Sequence, residues 1–326
     1  MGVNLNGTLL AVDAGNSKTD VAVLAQDGTV LGSARGGGFQ PPVVGVETAV
    51  DGLAEIVRRA GAEAGVPLDF AHVAACLANA DLPVEEDALQ AALLARGWSP
   101  SVQVRNDTFA ILRAGLDEPR GVAVVCGAGI NCVGMTPDGR TARFPAIGKI
   151  SGDWGGGGGL ADEALWCAAR SEDGRGLSTA LADALPAHFG LESMYALIEA
   201  LHLGRITMDR RHELTPVLFA VAAAGDPVAL SLVHRLAEEV VAMSYVALRR
   251  LGLHHEEAPV MLGGSVLAAR HPQLEERIRE LLAARAPKAV IGFVTAPPVL
   301  GAGLLALDEV AAGPAAAARL RKRYER

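Results

Sequence analysis

The sequence has little cysteine and few aromatic residues, and it lacks a long apolar run. Aromatic residues make up 4% of its 326 residues, and its four cysteines form neither a CxxC pair nor a zinc-knuckle pattern. This usage predicts free, mostly buried thiols in a reducing compartment rather than a disulfide framework. Because no apolar stretch reaches about 20 residues and no signal-peptide pattern opens the chain, we expect a cytoplasmic protein without a membrane partner.

The sequence also has fewer basic than acidic residues. The chain has 29 Lys and Arg against 37 Asp and Glu, a net charge of −8, which gives no indication of a nucleic-acid partner. Hydrophobic residues make up 50% of the chain and are mostly aliphatic, which favours an α/β protein whose sheets are covered by helices. A chain of this length is long enough for two domains.

The segment Asp13–Thr19 lies between two short apolar runs, which predicts a β-hairpin with a polar turn. Gly15 lets backbone N–H groups approach phosphate oxygens closely, and the hydroxyls of Ser17 and Thr19 add donors. The carboxylate of Asp13 suits a hydrated Mg²⁺ ion. The turn is therefore a candidate phosphate and metal site, with an ordinary polar β-turn as the alternative.

The same pattern returns about a hundred residues later. An apolar run ends at Cys126, the turn Gly127–Asn131 follows, and a second apolar run leads to the turn Thr136–Gly139. Two similar hairpins predict an internally duplicated fold that holds a nucleotide triphosphate with backbone donors from both halves. Neither hairpin is a Walker loop, and a Rossmann motif would need a glycine where Cys132 stands.

Between the two hairpins, strand and helix patterns alternate. We predict helices over 46–65, 85–96 and 108–116, and strands over 72–77 and 101–104. We place an N-terminal domain at 1–118, a second domain with a helical insertion at 119–310, and a C-terminal helix at 311–326. The five glycines Gly155–Gly159 predict a loop that either approaches another part of the chain closely or moves as a hinge.

Four short motifs occur in a characteristic order. They are Asp13-x-Gly15-x-x-x-Thr19, Asn106-Asp107, Gly127-Ala128-Gly129-x-Asn131 and Leu262-Gly263-Gly264-Ser265. They resemble the phosphate, catalytic, second phosphate and adenosine motifs of the sugar kinase, actin and heat-shock ATPase superfamily. Within it the chain resembles the BadF/BadG/BcrA/BcrD ATPase type, in its N-acetylglucosamine kinase branch, over about residues 8–310. The resemblance implies duplicated ribonuclease H-like domains with an interdomain cleft, the cofactors ATP and Mg²⁺, and a homodimer.

The resemblance also implies roles for individual residues. Asp107 is the expected catalytic base, because phosphoryl transfer to a sugar needs a carboxylate near the attacking hydroxyl. The expected sugar contacts are Gln40, Asn79, Asn106, Asp107, Gly129, Asp153 and Trp154. The expected nucleotide contacts are Gly15, Asn16, Ser17, Lys18, Thr19, Gly127, Ala128, Gly129, Asn131, Gly263, Gly264 and Ser265, and the expected metal ligand is Asp13.

The chain departs from the family pattern at two places in the sugar pocket. Gln40 stands where family members commonly have Asn, and Gln can make similar hydrogen bonds from a longer side chain. The segment Asp162–Leu165 lacks the Gly-Ser that follows the family's acidic sugar contact, so either Asp153 or Asp162 takes that part.

The expected function is phosphorylation of an amino sugar, N-acetylglucosamine at its 6-hydroxyl being the first choice. Glucosamine and N-acetylmuramic acid are the alternative substrates. An ATPase activator of a 2-hydroxyacyl-CoA dehydratase-type enzyme is a different class of function, and it would need cysteines arranged for an iron–sulfur cluster. A sugar-sensing regulator without turnover is a third possibility.

Overall fold

The computed structural model describes residues 7–325, which form two five-stranded sheets covered by helices. The strands are β1 (Leu9–Ala14), β2 (Lys18–Leu24), β3 (Val30–Gly37), β4 (His72–Leu77), β5 (Val102–Asn106), β6 (Gly121–Cys126), β7 (Ile130–Met135), β8 (Thr141–Arg143), β9 (Ala258–Gly263) and β10 (Ala289–Phe293). The helices are α1 (Pro41–Val44), α2 (Val46–Ala64), α3 (Pro83–Leu94), α4 (Thr108–Gly115), α5 (Gly156–Glu172), α6 (Leu181–His188), α7 (Met194–His202), α8 (Leu214–Ala223), α9 (Pro227–Leu251), α10 (Ser265–Ala268), α11 (Pro272–Arg285), α12 (Pro298–Glu309) and α13 (Pro314–Tyr324). Short 3₁₀ helices occupy Gly148–Ser151 and Met208–Glu213.

The first sheet has the strand order β3-β2-β1-β4-β5. The central strand β1 pairs antiparallel with β2 and parallel with β4, which in turn pairs parallel with β5. The register places Asp13 beside Cys76 of β4, and Leu77 beside Asn106 of β5. The carboxyl ends of β1, β4 and β5 therefore share one edge of the sheet, where loops of parallel sheets commonly carry binding residues.

The second sheet repeats this order. Its strands run β10-β9-β6-β7-β8, so the first strand of each sheet is central, the next two strands follow on one side, and the last two on the other. Strands β9 and β10 are parallel, as β4 and β5 are, and β7 and β8 are antiparallel, as β2 and β3 are. This repeat confirms the duplicated α/β fold predicted from the two hairpins.

The chain forms two compact units that are not consecutive in sequence. The first contains the residues up to Ala123, Val133–Pro145 and the residues from Val294 onwards, and the second contains Val124–Cys132 and Ala146–Phe293. The sequence predicted consecutive domains at 1–118 and 119–310 and a separate helix at 311–326. The units differ from this division because α12 packs against α4 and β1, so that the C-terminal helices complete the first unit.

Helix α2 shows how apolar spacing fixes the core of the first unit. Val50, Leu53, Val57 and Ala60 are three or four residues apart, so they lie on one face, and all four are buried in the cluster that contains Val12. Each such large aliphatic side chain contributes about 1.5–3 kcal/mol on burial. A Leu53→Ala change would lose about 2–5 kcal/mol of stability, because a cavity would remain.

An ion pair between a buried arginine and a more exposed aspartate links α4 to α12. The guanidinium of Arg113, which is 2% exposed, donates from Nε to Asp308 at 2.7 Å and from Nη2 to the second carboxylate oxygen at 3.1 Å. Arg113 also donates to the carbonyl of Leu116. Removing the carboxylate of Asp308 would leave the buried guanidinium of Arg113 without its counterion, and breaking such a pair commonly loses about 3–5 kcal/mol.

Among residues 7–325, no single helix is long and apolar enough to cross a membrane. The bent pair Met208–Ala223 and Pro227–Leu251 meets the criteria of length and composition when the two segments are taken together.

The glycine-run loop predicted from the sequence is wrong in its secondary structure. Gly155 is the N-cap and Gly156–Gly159 are the first turn of α5. Glycine is disfavoured in a helix by about 1 kcal/mol relative to Ala, so the tertiary contacts of this turn must offset that preference.

Candidate functional site

The predicted metal ligand and three of the predicted sugar contacts lie at the carboxyl edge of the first sheet. Asp13 is near the end of β1, Asn79 follows β4, Asn106 ends β5, and Asp107 comes directly after it. Because these three strands are parallel, their ends place the side chains on one edge. The backbone joins them further, since the N–H of Asp107 donates to the carbonyl of Leu77 at 3.2 Å.

The first phosphate turn is a tight hairpin with an exposed tip. The N–H of Gly15 donates to the carbonyl of Lys18 at 2.9 Å and closes the turn, so this N–H is used inside the protein. Asn16, Ser17 and Lys18 are exposed at the tip of the turn. Thr19 is 1% exposed, so of the predicted donors in this turn it is the one buried within the sheet.

An amide network connects this tip to two neighbouring loops. The side chain of Asn79 donates to Asn16 Oδ1 at 2.9 Å and to the carbonyl of Phe39 at 3.3 Å. Gln40 Nε2 donates to the carbonyl of Asn16 at 2.9 Å. Asn79 has a φ of 62°, a left-handed conformation that Asn adopts more readily than most residues. The structure thus brings Gln40, Asn79 and the phosphate turn together, and their roles in binding stay a prediction.

A carboxylate that the sequence did not single out orients Asn106. Asn106 Nδ2 donates to Asp81 Oδ1 at 2.7 Å, and Asn106 Oδ1 accepts from the N–H of Thr108 at 3.0 Å. The guanidinium of Arg143 donates to the carbonyl of Asp81 and pairs with Glu86. Asp81 lies four residues beyond β4, and the signal for it was the cluster of polar residues directly after a buried strand.

Asp13 is a buried carboxyl in a crowded electrostatic environment. It is 7% exposed, and burial raises its pKa to about 7, with the carboxylates of Asp107 and Asp20 adding to the rise. The cations of Lys18 and Arg35 oppose this rise. Arg35 pairs with Asp20 at 2.6 Å, so that Asp20 is partly neutralised. The nearby cations Lys18 and Arg35 pair with Asp20, so the carboxyl of Asp13 suits a bound cation that would stabilise its ionised form.

Asp107 is the second carboxyl at this edge. Burial raises its pKa to about 6, while hydrogen bonds from backbone N–H groups of Thr108 and of Asp107 itself oppose the rise. At neutral pH the carboxylate is still mostly ionised and can accept a proton. A pKa slightly below the working pH is the value that suits a general base.

In the second unit the glycine run packs against the second phosphate turn. The N–H of Gly157 donates to the carbonyl of Gly127 at 2.7 Å, and that of Gly158 donates to the carbonyl of Ala128 at 3.0 Å. Gly156 has a φ of 72°, and a Cβ there would lie 2.5 Å from the carbonyl oxygen of Ala128 and from Gly129 Cα. The close approach predicted for this segment is confirmed, and it is made by backbone on backbone.

A cavity of 360 Å³ opens beside this turn. It is bounded by the turn, by α8 and its preceding 3₁₀ helix, and by the region from α10 to the start of α11. Its lining residues are Gly127, Ala128, Gly157, His212, Thr215, Pro216, Phe219, Ser265, Val266, Ala269 and His271. The structure therefore joins Gly127 and Ala128 with Ser265, which follows the predicted Gly263-Gly264 motif at the β9–α10 junction.

A second cavity of the same unit, of 430 Å³, contains the remaining sugar-pocket predictions. Gly129, Asp153 and Trp154 all line it, together with Asp162 and Lys149. Asn131 is in β7, and its Oδ1 accepts from the N–H of Cys132 at 2.7 Å.

The two candidates for the acidic sugar contact differ in their partners. Asp153 Oδ2 accepts from Ser151 Oγ at 2.6 Å and from the N–H of Gly148 at 3.0 Å, so this oxygen holds the preceding loop. Asp162 is paired with Arg211 at 2.7 Å. Trp154 has the guanidinium of Arg235 over its ring at 4.2 Å. Both carboxylates line the cavity, and the choice between them stays a prediction.

The chain shows similarity to known proteins over nearly its whole length. The model of the BadF/BadG/BcrA/BcrD ATPase family matches residues 10–306. An N-acetylmuramic acid/N-acetylglucosamine kinase of Clostridium acetobutylicum is 25% identical over 303 residues, covering 92% of this chain and 98% of the relative. An N-acetyl-D-glucosamine kinase of Dictyostelium discoideum is 25% identical over 244 residues, covering 72% of this chain and 75% of that protein.

A solved structure supports the same architecture. A Chromobacterium violaceum protein assigned as an N-acetylglucosamine kinase superposes with a TM-score of 0.65 at 23% identity, covering 92% of this chain and 98% of that one. At this identity the match supports the fold and leaves the chemistry to the site residues.

Proposed function

Because the chain belongs to the BadF/BadG/BcrA/BcrD ATPase family, we propose that it is an ATP-dependent sugar kinase that phosphorylates an amino sugar, with N-acetylglucosamine as the acceptor and its 6-hydroxyl as the site of transfer. The observation that carries this proposal is the edge of the first sheet, where Asp107 and Asn106 lie among amide side chains suited to sugar hydroxyls. The names of the two relatives above support an amino-sugar acceptor.

Asp107 is the base in this proposal. The sugar hydroxyl attacks the γ-phosphorus of ATP, the bond from that phosphorus to the bridging oxygen breaks, and the products are the sugar phosphate and ADP. The hydroxyl proton goes to the Asp107 carboxylate, whose pKa of about 6 leaves it ionised at neutral pH. Asn106, Asn79 and Gln40 would orient the sugar through their amides.

Asp13 fits the metal that such a reaction requires. Its carboxyl is buried, and its pKa is raised to about 7 by burial and neighbouring carboxylates, so a divalent cation would favour the ionised form. Magnesium in kinases is commonly held by one or two carboxylates together with substrate phosphates, so one protein carboxylate is a sufficient donor set. Bound Mg²⁺ would neutralise charge on the phosphates.

In the second unit, the 360 Å³ cavity beside Gly127 and Ala128 is our proposed nucleotide site. Backbone atoms of the glycine turn border it on one side, and apolar residues such as Pro216 and Val266 border it on another. Such a mixture suits a base and ribose with phosphates attached. Ser265 would contribute a hydroxyl at the entrance, since it is exposed and lines the cavity.

N-acetylmuramic acid is the second candidate acceptor, and one side chain favours it. Lys149 is exposed and lines the 430 Å³ cavity together with Asp153 and Trp154. An ammonium group at that position suits the lactyl carboxylate that distinguishes this sugar from N-acetylglucosamine. The activator function is less well supported, because Cys76, Cys126 and Cys132 are buried and burial raises the pKa of each thiol, which opposes thiolate ligation of a cluster.

The test is ADP release from ATP in Mg²⁺ buffer with N-acetylglucosamine, glucosamine, N-acetylmuramic acid, N-acetylmannosamine or glucose, and without sugar. We expect N-acetylglucosamine to stimulate release strongly, with the product identified by mass spectrometry as a sugar monophosphate. If N-acetylmuramic acid is used as well, Lys149→Ala should raise its KM and leave that of N-acetylglucosamine unchanged. If the rate of ADP release is the same with every sugar as without sugar, the kinase proposal is overturned and an activator ATPase is favoured.

A further inference from the structure

Two aromatic rings stack in the wall of the 360 Å³ cavity. The ring centroids of Phe219 on α8 and His271 at the start of α11 are 3.9 Å apart, and their planes differ by 6°. Phe219 is 2% exposed, whereas His271 is half-buried. The stacked ring of Phe219 therefore covers one face of the imidazole. Because both residues line the cavity, the other face of His271 is the part of the pair that a ligand can meet.

Local contacts fix the backbone around His271. Arg270 has a φ of 55°, which turns the chain sharply before α11. Its guanidinium pairs with Glu275 at 2.7 Å and lies over the ring of Phe293 at 3.8 Å. The carbonyl of His271 accepts from the N–H groups of Leu274 and Glu275 at 3.1 and 3.0 Å. These contacts fix the backbone that carries the imidazole, whose ring stacks on Phe219.

The chemistry of the cavity suits an uncharged flat ligand at this position. Burial lowers the pKa of His271, so the imidazole is neutral at physiological pH and stacks as an aromatic ring without drawing an anion to itself. The hydroxyl of Thr215 already donates to the carbonyl of Gly157 at 2.7 Å. Pro216, Val266 and Ala269 supply apolar surface around the ring.

We propose that the Phe219–His271 pair is the platform on which the nucleotide base stacks, and that it makes the protein selective for purine over pyrimidine nucleotides. A purine covers an imidazole more fully than a pyrimidine does, so stacking should discriminate by ring size. The inference rests on the proposed function for the identity of the ligand as a nucleotide. It assigns His271 as a specificity-determining residue of that site.

The experiment is isothermal titration calorimetry of the full-length protein with ADP, UDP and inorganic tripolyphosphate, without sugar. We expect wild type to bind ADP at least about tenfold more tightly than UDP, since stacking on aromatic side chains contributes strongly to base binding. His271→Ala should weaken ADP binding about tenfold, UDP binding by less than about threefold, and tripolyphosphate binding not at all. His271→Phe, which restores a flat ring, should bind ADP within about threefold of wild type.

The control is His202→Ala, because His202 is exposed at the end of α7 and does not line the cavity. A change in ADP and UDP affinity by the same factor in His271→Ala would indicate a purely structural role and overturn the proposal, as would unchanged ADP affinity. The kinase proposal is tested separately. If the wild-type protein binds ADP and UDP as expected but no sugar stimulates ADP release, the base platform is supported and the kinase proposal is overturned.

Discussion

The side-chain amide of Asn106 donates a hydrogen bond of 2.7 Å to the carboxylate of Asp81. The oxygen of the same amide, Asn106 Oδ1, accepts from the N–H of Thr108. The two hydrogen bonds together fix the orientation of the Asn106 amide. Asp81 therefore acts on the proposed sugar site through Asn106 as a positioning residue.

We expect Asp81→Ala to raise the KM for the sugar about tenfold, because the Asn106 amide loses a charge-assisted hydrogen bond worth about 1.5–3 kcal/mol. The KM for ATP should stay within about twofold, since ligand contacts in the other unit are untouched. Steady-state kinetics with each substrate varied in turn measures both constants. Asp87→Asn in α3 is a matched control in the same region, and an equal rise in both constants would argue for a general folding defect.

The protonation of Asp107 should set the fall in kcat/KM at acidic pH. With a pKa of about 6, the carboxylate becomes protonated below that pH, and kcat/KM should then fall about tenfold for each pH unit. Asp107→Asn should lower kcat by at least about a hundredfold while nucleotide binding is retained. Asp69→Asn, at an exposed loop position, is the control for a lost carboxylate. Turnover that survives Asp107→Asn would remove this residue from the mechanism.

Asp13 should make the metal-free protein less stable at high pH. The unfolded carboxyl loses its proton near pH 4, whereas burial and neighbouring carboxylates hold the native pKa at about 7. The unfolded state therefore binds fewer protons between these values, and the free energy of unfolding falls as pH rises through this window and is constant above it. A shift of about three pKa units corresponds to at most about 4 kcal/mol.

Asp13→Asn removes that ionisation. The variant should be more stable than wild type in EDTA, with a gain that is about 2 kcal/mol larger at pH 8 than at pH 5. Urea unfolding at the two pH values measures the difference, and the same variant should lose sugar-dependent ADP release. A gain that is equal at both pH values would show that the stabilisation comes from packing and has no link to the Asp13 proton.

The glycines of α5 should respond to alanine in opposite directions. Gly156→Ala places a Cβ 2.5 Å from the carbonyl oxygen of Ala128 in a left-handed backbone, so we expect a loss of about 2–3 kcal/mol. At Gly159 a Cβ meets no atom within 4 Å, so Gly159→Ala should gain about 0.5–1 kcal/mol from helix propensity. Urea midpoints of the pair measure this contrast, and a stabilised Gly156→Ala variant would contradict the close packing.

Much of the fold could be predicted because the sequence signals are local. Strand β4 was predicted at its observed bounds, and α2, α3 and α4 within about two residues, since apolar spacing and turn residues bracket each element. The duplication was readable because both hairpins contain the same sequence of apolar run, glycine turn and apolar run. The catalytic role expected of Asp107 came from the resemblance of Asn106-Asp107 to the family's catalytic motif, and the structure places this residue directly after β5.

The remaining features depend on contacts between distant parts of the chain. Helix propensity argues against a glycine-rich first turn, and tertiary hydrogen bonds with Gly127, Ala128 and Thr215 offset that preference. Asp81 becomes relevant because the sheet places it beside Asn106, 25 residues later. Phe219 and His271 belong to separate helices, so nothing in the local pattern of either one predicts that the two rings stack.

The first compact unit includes helices from the end of the chain, so it cannot be completed until synthesis is almost finished. Helix α12 packs on β1 and α4, and the buried Arg113 can pair with Asp308 only after α12 has been synthesised. A ribosome releases Leu9 about three hundred residues before it releases Asp308, so the N-terminal sheet emerges long before its covering helix. During that interval the nascent chain exposes an apolar sheet face and an unpaired guanidinium, so the first unit completes its packing only when translation is nearly finished.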